Sequence, residues 1–160
     1  AELIGFTRVG DDEAAGGLED IAAHDGIVII MGDELSDQAE DFGRDAQLFL
    51  YLGDQQSPAA SNAHFVFPLT NFAEQEGSFT NIAGRVQRFS PALEPPGMAR
   101  PGWFILGALL AELNNRDAPL NAAESFSGLA SRIEAFAGLT YQDIGGRGAV
   151  LNETLVLSET

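Results

Sequence analysis

The segment from Glu76 to Gln87 carries the residue types best suited to chemistry in this chain. Its sequence, EGSFTNIAGRVQ, combines an acid, a guanidinium, two amides and two glycines, and glycine permits tight turns and close backbone approach. One interpretation is a hydrogen-bonded clamp, in which Glu76 pairs with Arg85 while Asn81 and Gln87 satisfy backbone groups. The other is a surface that lies against a polar cofactor or a partner. We favour the clamp, in which loss of the Arg85 guanidinium would cost about 1–3 kcal/mol of stability.

Motifs of several well-defined reactions are missing from the full sequence. Lysine is absent, which excludes a P-loop, and no dinucleotide-binding G-x-G-x-x-G or nucleophilic G-x-S-x-G is present. Cysteine is also absent, which excludes disulfides, thiolate zinc sites and cysteine-ligated iron–sulfur clusters within these residues. His24 and His64 share no metal-binding motif, and the acids of 33–41 lack calcium-loop spacing. We therefore assign no catalytic, cofactor-binding or metal-ligating residue.

The elements that position this segment begin with a βαβ pattern over residues 27–68. The apolar runs 27–31 and 48–52 are each closed by glycine and predict strands buried on both faces of a parallel sheet. Helical spacing between Leu35 and Ala46 predicts the crossover, and a third strand at 65–67 ends at Pro68. The sequence predicts an α/β fold with an open, mainly parallel Rossmann-like sheet and flanking helices.

Two further segments complete the predicted single α/β domain over 1–160. Residues 69–100 predict an extended, hairpin-like excursion because Phe79, Val86 and Phe89 alternate with polar residues. Residues 101–160 predict a helical tail. Its expected parts are a helix after Pro101 that ends near Asn114, a helix capped by Asn121 that runs to Phe136, a short turn at 140–144, a flexible stretch at 145–148 and an edge strand at 155–157.

The charge of the chain excludes one class of partner. The net charge is −16 and all eight basic residues are arginine, so the field repels phosphate backbones and we expect no nucleic-acid binding. The longest apolar stretch, 103–111, is too short to cross a bilayer, so we expect no direct membrane insertion. Residues 55–100 are neutral overall and hold five of the seven prolines, which makes them a candidate for burial against another surface.

Several stretches of the chain resemble the molybdopterin oxidoreductase superfamily. The match is most specific over 64–103 and weaker over 27–63 and 104–152. Its branch most similar to this chain is the large iron–sulfur subunit of NADH–quinone oxidoreductase, respiratory complex I. His64 stands where the family has aspartate, and Ala83 where it often has an acid. The matching stretches are His64–Pro68, Glu74–Asn81, Gly84–Gln87, Pro95–Trp103 and Gly148–Glu153.

This resemblance implies a fragment of a larger oxidoreductase subunit without redox centres of its own. The family's cluster ligands and its usual molybdenum ligand lie in N-terminal regions that this chain lacks, so iron–sulfur clusters are expected there. The implied role is a scaffold in the peripheral arm on the cytoplasmic side of the membrane, in contact with the rest of its subunit and other peripheral-arm subunits. The alternative is a domain of a formate dehydrogenase or nitrate reductase type, whose loops after Met31 and Leu52 would enclose a molybdopterin guanine dinucleotide.

The acidity also indicates adaptation to high salt. A chain with a net charge of −16 repels itself in dilute salt, and added ions screen that repulsion. We expect thermal unfolding to occur at a higher temperature in molar salt than in dilute buffer. Equal melting temperatures in the two conditions would leave arginine bias and neutral drift as the explanation of the composition.

Overall fold

The computed structural model describes residues 22–32 and 42–151, which form two compact units. The sheet unit comprises residues 22–32, 42–71 and 94–102. The hairpin unit comprises residues 72–93 and 103–151. The segment boundaries at 27–68, 69–100 and 101–160 stay a prediction, as does a single domain over the whole chain.

Three parallel strands form the sheet unit, in the order β1-β2-β3. Strand β1 is Ile27–Met31, β2 is Leu48–Gly53 and β3 is Phe65–Pro68. Ile27 pairs with Leu48, and Leu50 pairs with Phe65, in a regular parallel register. The α/β class and the positions of all three predicted strands are confirmed, because apolar runs closed by glycine or proline favour short strands. The predicted burial of the first strand on both faces is wrong, since Ile27 and Ile29 are more than half exposed.

One face of this sheet packs a core. Val28, Phe49 and Tyr51 point to the same side and cluster with Phe42 and Ala46, all five being buried. The connection from β2 to β3 also lies on this side, since Ala60 and Ala63 pack on the cluster. This connection contains a 3-10 helix, Pro58–Asn62.

The opposite face of the sheet, here called the open face, is entirely apolar. Alternation along the strands places every second residue on it. Ile27, Ile29 and Phe65 are 63%, 55% and 56% exposed, although a parallel sheet normally buries both faces. The exposure of this face is uneven, because Leu52, at its carboxyl end, is completely buried. The open face consists of Ile27, Ile29, Met31, Leu48, Leu50, Leu52, Phe65 and Phe67.

The helix predicted between the first two strands is only partly within the described residues. Positions 33–41 lie outside them, as does most of the short helix suggested at 18–23. Residues 42–45 form a turn rather than helix, and Gly43 has a φ of +69°. A Cβ at Gly43 would meet the Phe49 ring at 2.8 Å, so the turn packs directly on the core.

An antiparallel sheet forms the centre of the hairpin unit. Strand β4 is Gly77–Thr80, β5 is Arg85–Phe89 and β6 is Ala149–Val150, with β5 in the middle. The predicted hairpin is confirmed. Strand β6 begins directly after the stretch predicted to be flexible. Gly148, the last residue of that stretch, has a φ of +73° and lies so close to β5 that a Cβ on it would overlap the Val86 carbonyl oxygen. The edge strand predicted at 155–157 lies outside the described residues.

Helices α1 (Gly102–Leu113), α2 (Ala122–Ala130) and α3 (Tyr141–Ile144) follow the hairpin. The prediction for α1 is confirmed, and so is the Asn121 cap of α2, whose side chain accepts a hydrogen bond from the backbone N–H of Glu124. The predicted extension of α2 to Phe136 is wrong. The Ser131 hydroxyl donates to the Gly128 carbonyl at 2.9 Å, which competes with helix continuation, and a separate 3-10 turn covers 134–136.

Residues from the helices and strands of the hairpin unit form one buried core. Phe126 contacts Phe136 and Tyr141 through tilted rings, with Ile144 and Leu151 completely buried beside them. Within residues 22–32 and 42–151, the structure contains no helix with the length and apolar character needed to span a bilayer.

His64 has a structural role in the sheet unit. Its imidazole Nδ1 accepts a hydrogen bond from the backbone N–H of the buried Phe49 at 3.0 Å. The backbone N–H of His64 donates in turn to the Phe49 carbonyl at 2.9 Å. The imidazole therefore extends the pairing of β2 and β3 by one step at its amino end. These contacts give His64 a role in the fold that needs no metal.

We expect His64→Ala to lower the free energy of unfolding by about 1–3 kcal/mol, because the buried N–H of Phe49 loses its acceptor. The control is His64→Asp, the residue that the resemblance places here, because a carboxylate oxygen one bond beyond Cγ can accept the same hydrogen bond. Urea unfolding of the two variants measures the difference. Equal destabilisation by both would show that the acceptor does not matter.

Candidate functional site

Glu76 joins the start of the hairpin to two helices. Its carboxylate Oε1 accepts a hydrogen bond from the backbone N–H of Ala122, the first residue of α2, at 3.2 Å. Its backbone carbonyl accepts from the indole Nε1 of Trp103, at the start of α1, at 3.1 Å. A carboxylate at a helix N-terminus is favoured both by the unpaired N–H groups there and by the helix dipole.

Other residues of the Glu76–Gln87 segment also form hydrogen bonds that involve backbone groups of the hairpin unit. The Tyr141 hydroxyl donates to the Gly77 carbonyl at 3.2 Å. Asn81 closes the hairpin turn, since its Oδ1 accepts from the backbone N–H groups of Ala83 at 3.0 Å and Arg85 at 2.9 Å. The polar groups of the segment thus satisfy backbone groups of the hairpin unit, which supports the clamp interpretation.

The expected pairing of Glu76 with Arg85 is wrong. The Arg85 guanidinium donates instead to the Arg147 carbonyl, an exposed contact at 3.4 Å. Gln87 pairs through its backbone with Phe79 in the β4–β5 ladder, and the predicted role of its side chain stays a prediction. The error for Arg85 arises because strand register places its side chain, which the local sequence does not reveal.

Sequence reasoning missed the aromatic residues and the arginine that hold the segment in place. Arg88 lies over the Tyr141 ring, 4.2 Å from its centroid, and donates to the Tyr141 carbonyl at 3.3 Å. Trp103 and Tyr141 lie 27 and 64 residues from their acceptors. The sequence does contain a tryptophan and a tyrosine, and a buried indole N–H or phenol usually requires a hydrogen-bonding partner. The sequence does not indicate which residue that partner is.

These contacts surround a cavity of about 320 Å³ within the hairpin unit. Aromatic side chains dominate its lining, and its titratable groups are the Glu76 carboxylate and the Tyr141 hydroxyl. Each of these is hydrogen-bonded to the backbone. The lining therefore resembles a satisfied structural cavity more than an acid–base site. Its aromatic residues are Phe79, Phe89, Trp103, Phe126 and Tyr141.

The carboxyl edge of the parallel sheet is the second place where a ligand would bind in this fold. There the backbone N–H of Gly32 donates to the Leu52 carbonyl at 2.9 Å, and that of Leu69 donates to the Gly53 carbonyl at 2.9 Å. Arg100 pairs with this edge through its backbone N–H and the Pro68 carbonyl at 3.1 Å. Of the two predicted strand-end loops, the one over 33–41 lies outside the described residues.

Metal ligation receives no support from the parts of the chain that the structure describes. No group of three or more His, Asp or Glu side chains that could hold an ion is found among them. His64 is engaged with Phe49, and the His24 ring lies against Gly26, where a Cβ would meet its Nε2 at 2.6 Å.

We expect Glu76→Ala to lower the free energy of unfolding by about 1–3 kcal/mol, because the buried end of α2 loses an acceptor. Glu76→Gln keeps an oxygen at Oε1 and should restore most of that loss. Arg85→Ala removes only an exposed contact and should cost about 0.5 kcal/mol or less, below the value expected from the sequence. Chemical denaturation of the three variants tests this order, which is contradicted if Arg85→Ala costs as much as Glu76→Ala.

Comparison with known proteins agrees with the resemblance seen in the sequence. The family model described as Molybdopterin oxidoreductase matches residues 4–112. The chain is 38% identical over 89 residues to F420-dependent formate dehydrogenase 2 subunit alpha of Methanococcus maripaludis, a match covering 54% of this chain and 13% of that protein. It is 35% identical over 88 residues to the mitochondrial NADH-ubiquinone oxidoreductase 78 kDa subunit of Candida albicans, covering 55% and 12%.

A third relative extends the range of activities. The NADPH-Fe(3+) oxidoreductase subunit alpha of Geobacter sulfurreducens is 38% identical over 81 residues, covering 51% of this chain and 10% of that protein. The chain thus spans only about an eighth or less of the length of these relatives. The family match covers well over half of the chain, and the chain therefore belongs to the molybdopterin oxidoreductase family.

Proposed function

We propose that this chain is a structural part of the large iron–sulfur subunit of an NADH–quinone oxidoreductase and carries no redox centre itself. It would support the cluster-bearing part of that subunit in the peripheral arm, on the cytoplasmic side of the membrane. Similarity to the mitochondrial 78 kDa subunit, at 35% identity, supports this branch, but similarity to a formate dehydrogenase subunit is slightly greater, at 38% identity. The choice between them therefore depends on the residues of this chain.

The observation that carries the proposal is the charge at the carboxyl edge of the parallel sheet. The nine residues that follow Gly32, 33–41, include five acids and no base, and Asp54 follows β2 directly. The arginine described at this edge, Arg100, donates its guanidinium to the Ala99 carbonyl at 2.8 Å. A pyrophosphate bound by the segments that follow these two strands would meet a sequence rich in acids, which disfavours its binding. The residues present thus fit a phosphate-bearing pterin dinucleotide poorly.

The open face supports the second part of the proposal, that the chain belongs within a larger protein. Eight apolar side chains share this face, and Ile27, Ile29 and Phe65 are more than half exposed. The described connection from β2 to β3 packs on the other side of the sheet. Since parallel sheets are stable when both faces are covered, we infer that other polypeptide of the parent subunit covers the open face.

The alternative function is a domain that encloses the pterin dinucleotide of a molybdenum enzyme. The relatives from Methanococcus maripaludis and Bacillus subtilis, named F420-dependent formate dehydrogenase subunit alpha and putative formate dehydrogenase, favour it. In that case, the loops after β1 and β2 would have to bind the dinucleotide despite their acids.

We test both parts on the native polypeptide that contains this segment. Metal analysis should find iron without molybdenum, and about one molybdenum atom per polypeptide would establish the alternative. For the open face, Ile29→Cys and Val28→Cys give neighbouring thiols on opposite faces of β1 in a segment with no cysteine of its own.

Maleimide labelling of each position, read by peptide mass spectrometry, is compared in the isolated segment and in the native polypeptide. The thiol of the Ile29→Cys variant should react in the segment and become as unreactive as the buried position 28 in the native polypeptide. Equal reactivity of position 29 in both would contradict the inferred cover of the open face.

A further inference from the structure

Helix α1 exposes a stripe of leucines that its own unit leaves partly uncovered. Leu106, Leu110 and Leu113 recur at helical spacing and are 38%, 40% and 81% exposed. Leu120, in the loop after α1, is 81% exposed as well. The helix has no charged residue before Glu112, and a helix that is apolar around most of its circumference is normally buried in a larger assembly.

A cavity of about 570 Å³ lies beside this stripe, between α1 and α2. Its apolar floor includes Leu110, Leu129 and Ile133. Gly107 allows Pro119 to pack on α1, since a Cβ there would meet the proline Cγ at 2.5 Å. We call the stripe and the cavity together the α1–α2 groove.

Two arginines make the groove formally neutral in a chain that is acidic overall. Arg116 and Arg132, two of only eight basic residues, both line the cavity. Both are exposed, and within the described residues neither guanidinium has a hydrogen-bonding or ion-pair partner. The two acids of the lining, Asp117 and Glu124, bring the local formal charge to zero, where the chain as a whole carries −16.

The Glu124 carboxylate already accepts hydrogen bonds from other residues of the hairpin unit. Its Oε2 accepts from the backbone N–H of Leu120 at 2.8 Å, and its Oε1 accepts from the Asn121 side chain at 3.1 Å. The N-terminal end of α2 compensates its charge. The groove thus offers two available guanidiniums beside an apolar floor, which is the arrangement that binds carboxylates carried on an apolar surface.

We propose that the α1–α2 groove binds an amphipathic α-helix of a partner polypeptide, with acidic residues flanking its apolar stripe. The apolar stripe would lie along Leu106–Leu113, a span of about 10 Å, and the acids would face Arg116 and Arg132. A second copy of this chain is a poorer occupant, because each copy carries a net charge of −16. This proposal does not depend on the identity of the parent complex.

The test uses two synthetic helical peptides of about 18 residues, five turns each. Both carry the same leucine stripe, flanked by glutamate in one and by lysine in the other. Fluorescence anisotropy should give tighter binding of the glutamate peptide to the 160-residue chain. The overall charge of −16 favours the lysine peptide, so the expected preference can only come from local arginines. Tighter binding of the lysine peptide would overturn the proposal.

Variants of the chain locate the binding site and distinguish it from nonspecific hydrophobic binding. Reversal of both charges, Arg116→Glu with Arg132→Glu, should weaken glutamate-peptide binding at least about tenfold and strengthen lysine-peptide binding. Leu113→Gln should weaken both peptides. Ile82→Gln, at a side chain that is 94% exposed in the hairpin turn, should change neither.

Unchanged binding in the double reversal would contradict a role for the arginines. Sedimentation equilibrium of the chain alone tests the remaining occupant. A dimer that Leu113→Gln dissociates would assign the groove to a second copy and overturn the proposal. All four substituted residues are exposed, and circular dichroism of each variant verifies that the fold is kept.

Discussion

A parallel sheet must bury both of its faces, and the sheet unit of this chain covers one of them with its own described residues. The strands are apolar on both sides, which is typical of strands that lie between two layers of helix. The buried side takes Phe42, Ala46 and the connection after β2, whereas the open face keeps Ile27, Ile29 and Phe65 largely exposed. The proposal that other polypeptide of the parent subunit covers the open face follows from that imbalance.

Within the hairpin unit, the motif shared with the family is explained by stability more than by catalysis. Glu76 binds the end of α2 and receives the Trp103 indole, while Asn81 closes the turn between β4 and β5. The Glu76 carboxylate itself bonds the start of α2, and its loss would leave that helix end without a partner.

The charged residues of the two units bear on different proposals for this chain. The proposed function takes the acids that follow β1 and β2 in the sequence as disfavouring a phosphate-bearing cofactor, since this fold usually binds ligands after the carboxyl ends of its strands. Two arginines without described partners line an apolar groove on the hairpin unit. The two proposals made for this chain, a structural role and a partner helix, rest on these two features.

The sequence by itself determined the elements whose signal is local. Apolar runs ended by glycine or proline defined β1, β2 and β3, helical spacing defined α1, and Asn121 marked the start of α2. Absent lysines and cysteines likewise excluded whole classes of site, because those classes require specific side chains.

Tertiary structure alone decided the partners of the side chains. Glu76 bonds to Ala122 rather than Arg85, Arg88 stacks on Tyr141, and β6 pairs with β5 directly after a stretch expected to be flexible. Each of these contacts joins residues 46 or more positions apart. Local propensity carries no information about such pairs, since strand register and the packing of distant elements bring them together.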